Sequence, residues 1–145
     1  ETFPYTFMGT LTDEIITLPA INDEYSRYFV TVTNCQMTST SFNATLIGPY
    51  EEYIVLVCYD WNEYPSLEDG KSVVTMFADA TAGGANGVYG SNPSGLNPSF
   101  IVTNMKQPRP IRFQLLTGQL LPCDPSQITD ANFEYRITCN ITPID

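Results

Sequence analysis

At 145 residues the chain has the length of one domain, and with 43% hydrophobic and 12% aromatic residues against 15% charged it can bury a real core, which excludes disorder. A formal net charge of −10, from six Lys and Arg against sixteen Asp and Glu, disfavours nucleic acid and anionic membrane as partners. Histidine is absent. That removes Ser-His-Asp and Cys-His nucleophile pairs, His-dependent zinc hydrolases and histidine bases together, so the expectation is a protein that is not an enzyme.

In chain order, Phe3, Tyr5 and Phe7 open with the alternation of a strand buried on one face, and Tyr28 to Thr33 follows as a continuous β-branched and aromatic run. Phe42, Ala44 and Leu46 alternate with Asn43 and Thr45. Tyr53 to Tyr59 is the longest apolar run, far short of the roughly 20 residues that a bilayer-spanning helix needs. Ser72 to Phe77 and Phe100 to Thr103 also read as strands. Ile111, Phe113 and Leu115 point inward against Arg112 and Gln114. At the C-terminus Phe133, Tyr135, Ile137, Cys139 and Ile141 alternate with polar residues in the clearest period of two. Turn signals such as Gly48-Pro49, Glu68-Asp69-Gly70 and Asp124-Pro125-Ser126 separate these runs. From Asp79 to Ser99 the chain is rich in Gly, Asn, Ser and Pro, which reads either as a long functional loop or as a hairpin around Asn86-Gly87.

Eight or nine short strands imply an all-β fold over residues 1–145, an antiparallel two-sheet sandwich, with a jelly roll preferred to an immunoglobulin-like arrangement. The preference rests on Trp61. An immunoglobulin-like core buries its Trp beside paired cysteines, whereas Trp61 lies in a polar Asp-Trp-Asn-Glu turn and reads as exposed. Glu1 in place of an initiating Met reads as a mature or excised chain.

Cys35, Cys58, Cys123 and Cys139 are too widely spaced for a Cys-x-x-Cys motif, and no mixed zinc site exists without His. They are disulfide candidates, with Cys123–Cys139 the preferred pair because a turn at Pro122–Pro125 brings a following strand back; buried thiols are the competing reading. No nucleotide-phosphate loop is present, so neither cofactor nor metal is expected. Asp60, Asn62, Glu63, Glu68 and Asp69 offer oxygen ligands for calcium, but their spacing does not match an EF-hand.

Tyr59, Asp60, Trp61, Asn62 and Tyr64 form the candidate binding cluster, since aromatic faces beside short polar groups suit a sugar or a protein surface. Glu51, Glu52, Asp60 and Glu63 are the carboxylates from which a glycosidase pair would have to come. Asn43 and Asn140 stand in Asn-x-Thr sequons with outward parity and are glycosylation candidates. Lys106, Arg109 and Arg112 concentrate positive charge in one stretch, which suits self-association of a basic edge with an acidic face.

The expected role is a non-enzymatic structural or attachment domain of an extracellular assembly. Such assemblies include a virion-surface capsid, protrusion or decoration protein and a surface filament, in which other subunits of the same kind are the partners. In composition the chain resembles viral jelly-roll and protrusion domains, and no motif ties it to one family. A secreted carbohydrate-binding module is the alternative and a carboxylate glycosidase the third reading.

Overall fold

The computed structural model describes residues 2–21, 27–38, 53–78, 88–90, 99–103, 107–117, 119–123 and 133–144. Nine strands form: β1 (Phe3–Gly9), β2 (Asp13–Leu18), β3 (Arg27–Thr38), β4 (Tyr53–Tyr59), β5 (Lys71–Ala78), β6 (Val88–Gly90), β7 (Ser99–Thr103), β8 (Arg109–Thr117) and β9 (Glu134–Pro143). A 3-10 turn, Glu68–Gly70, precedes β5. All strand pairs are antiparallel.

The strands build two sheets. Sheet A runs β1-β9-β3, with β7 and β6 sharing the far edge of β3, and sheet B runs β2-β8-β4-β5. The ladders are nested. β4 pairs with β5 at the centre, β3 with β6 and β7 around it, then β2 with β8, and β1 with β9 outermost. Successive rungs fall alternately in the two sheets, so the chain is a long hairpin rolled into a two-layer antiparallel sandwich.

Side-chain alternation decides what each strand gives to the space between the layers. Tyr135, Ile137, Cys139 and Ile141 of β9 are fully buried, as are Ile111, Phe113 and Leu115 of β8. Tyr28, Val30 and Val32 of β3 face inward, and then a bulge between Val32 and Asn34 shifts the parity so that Cys35 and Met37 take over. The run 28–33 is therefore buried on one face only, with Phe29 and Thr33 exposed.

β4 sits centrally in sheet B and is buried on both faces. Leu56 and Cys58 join the main core, while Val55 and Val57 form a second apolar cluster with Leu116, against which Tyr59, Leu67 and Val73 pack. A continuous apolar run without alternation is the sequence form of such a strand.

Two strands escaped the sequence reading. Asp13–Leu18 has two acidic residues at its start, which masks its alternation of Glu14, Ile16 and Leu18 inward against Asp13, Ile15 and Thr17 outward. β6 is only three residues long and lies within the Asp79–Ser99 stretch, the remainder of which, Ser99 apart, lies outside the described residues. The expected strand at Phe42–Leu46 lies outside them too.

The corner between β1 and β2 is held by Glu14. Its Oε1 accepts the backbone N–H of Thr10 (2.6 Å) and of Leu11 (2.9 Å) and the Tyr135 hydroxyl (3.2 Å). Gly9 faces the Tyr135 ring and the Glu14 carboxylate so closely that a Cβ there would collide with both.

The disulfide expectation is corrected: Cys35, Cys58, Cys123 and Cys139 all remain buried thiols. Cys123 hangs on sheet B through its N–H to the Leu115 carbonyl (3.1 Å), whereas Cys139 lies inside β9 of sheet A and directs its Sγ to the Tyr5 carbonyl (3.6 Å). The two thiols therefore lie in different layers, and the remainder of the expected turn, Asp124 and Pro125, lies outside the described residues.

Candidate functional site

The segment from Tyr59 to Ser72, where β4 turns back into β5, contains the whole aromatic cluster singled out from sequence. Asp60 leaves β4 with φ of 55° and donates its N–H to the Gly70 carbonyl (2.9 Å). Gly70, at φ 75°, packs so tightly on Asp60 that no side chain fits there. These two contacts close the loop at its base.

Trp61 is 4% exposed, which overturns its reading as a surface residue. The indole enters the core between Phe7 (ring centroids 5.6 Å apart) and Phe100 (5.9 Å), and its Nε1–H meets no acceptor among the described residues. Polar neighbours in sequence disguised this, because Asp60 and Asn62 take the outside of the loop while Trp61 alone turns in. Trp61 therefore has no face on which a ligand could stack.

Asn62 is committed to structure. Its Oδ1 accepts the N–H of Tyr64 (3.0 Å) and of Ile101 (3.4 Å), and its Nδ2 donates to the Tyr64 carbonyl (2.8 Å) and to Ser72 Oγ (3.2 Å). With the Glu63 N–H on the Ile101 carbonyl (2.7 Å) and Glu63 paired to Arg27 (3.4 Å), this loop ties sheet B to β3 and β7 of sheet A. Tyr64, 63% exposed, projects from the loop. Tyr59 is half-buried on the outer face of sheet B, with its hydroxyl on Gln114 Oε1 and the Arg112 guanidinium 4.2 Å from its ring centroid.

The five residues thus occupy three environments and do not share one binding face. Sequence reasoning missed Gln114, Ser72 and Asp13, which fix their partners from other strands and carry no local signal.

The basic stretch is also engaged within the chain. Arg112 binds Asp13 through two parallel hydrogen bonds (2.9 and 2.7 Å), which hold the Asp13 carboxyl below its ordinary pKa and raise that of Arg112. Arg109 donates to the carbonyls of Asp60 (2.7 Å) and Thr103 (3.4 Å). Lys106 lies outside the described residues, as do Glu51, Glu52 and Asn43. Asn140 is exposed on the outer face of sheet A, in register with Pro4 of β1 and Thr31 of β3.

No protein-family model matches the chain, and no curated protein matches it. Among solved structures, the chain is similar over its full length to the whole core of a Drosophila NLP, described for pentamer formation and histone binding, at 12% identity and a TM-score of 0.40. It is similar over 98% of its length to 54% of a chain in the Nora virus structure (10% identity, TM-score 0.31). It is also similar over 99% of its length to 40% of a chain from T=1 particles of infectious bursal virus (13%, TM-score 0.23). The chain spans about half or less of the two viral chains. Similarity at this level fixes neither a family nor a function.

Among the described residues, no group of three or more Cys, Asp or Glu stands close enough to hold a metal, and the calcium candidates are spread over structural contacts: Asn62 on backbone, Glu63 on Arg27. The thiols of Cys58, Cys123 and Cys139 are pushed up to about 12 by burial, too high for a nucleophile at neutral pH.

Proposed function

We propose that the chain is a non-enzymatic structural subunit of a larger protein assembly, built on a jelly roll and acting through contacts with other copies. The observation that carries this reading is the nested ladder order, β1 with β9, β2 with β8, β3 with β6 and β7, and β4 with β5, distributed over two facing sheets. That wiring is what a jelly roll requires, and shell-forming and lectin domains are its frequent uses. The lectin branch has less support, since Trp61 lies in the core and Asn62 is consumed by backbone.

A virion surface suits the remaining features. A particle put together inside a cell meets a reducing environment, where four buried cysteines stay as thiols, and later presents its acidic, hydroxyl-rich exterior outward. Size-exclusion chromatography of the native protein with electron microscopy tests the reading. Closed shells, rings or filaments are the expected result; a protein that is monomeric at every concentration, or that turns over a glycoside, overturns it.

A further inference from the structure

We draw no further inference here: the strongest candidate, the apolar groove between β1 and the segment that leaves β2, lined by Phe3, Tyr5, Leu18 and Ile21, is an unpartnered face, and nothing in the structure shows what covers it.

Discussion

Burial keeps Cys58, Cys123 and Cys139 protonated at neutral pH, and a thiol without its thiolate neither attacks a disulfide nor binds a metal. Native protein at neutral pH is therefore expected to resist a thiol reagent, with four thiols reacting once the chain is unfolded. An intact mass four hydrogens lower than the reduced chain would refute this. Trp61 is expected to matter through packing: Trp61→Ala removes the ring that joins Phe7 to Phe100 and should cost about 3–5 kcal/mol in urea unfolding. Tyr64→Ala, three positions on but largely exposed, should change stability by about 0.5 kcal/mol or less. The two aromatics look alike in sequence, as both sit among polar residues in one turn. Only the turn of Asp60 into the left-handed region sends one inward and leaves the other in solvent.

At the scale of the element, the β2–β8 ladder is fastened by Asp13 and Arg112, which stand diagonally across it, Asp13 opposite Gln114 and Arg112 opposite Ile15. Hydrogen bonding to Arg112 lowers the Asp13 pKa from its ordinary 3.8, so the folded state holds the carboxylate more tightly than the unfolded chain does. The contribution is complete above about pH 3.8 and is lost as pH falls through the lower folded value. Because both side chains are more than a third exposed, solvent screening keeps it to about 0.2–1 kcal/mol. Asp13→Asn should flatten that part of the acid limb in a stability–pH series, and an unchanged limb would assign the acid sensitivity elsewhere. β2 itself was illegible in the sequence because its inward positions begin with Glu14, whose partners in the turn and on β9 lie 3 to 121 residues away. Strands β8 and β9 were legible because their inward positions are uniformly apolar.

Across the whole molecule, charge and architecture are separated. Within the nine strands Arg27, Lys71, Arg109, Arg112 and Arg136 meet only Asp13, Glu14 and Glu134, so the strands together carry +2 and the remainder of the chain −12. The slab is close to neutral, and the repulsion between copies comes from what connects its strands. Raising the salt concentration from low to physiological should therefore strengthen self-association, as monitored by light scattering. Association that weakens with salt would instead favour a contact between the basic stretch at Lys106, Arg109 and Arg112 and an acidic face. The sequence by itself determined the period of two, hence the extended strands and the inward parity of β1, β8 and β9, together with the absence of histidine chemistry; these follow from geometry within a few bonds. Which strands pair, where the bulge in β3 reverses parity, that Trp61 enters the core and that Cys123 and Cys139 fall in different layers were decided only by the tertiary structure. Each of these depends on register between segments as much as 140 residues apart, and side-chain alternation along one strand holds no information about its neighbour.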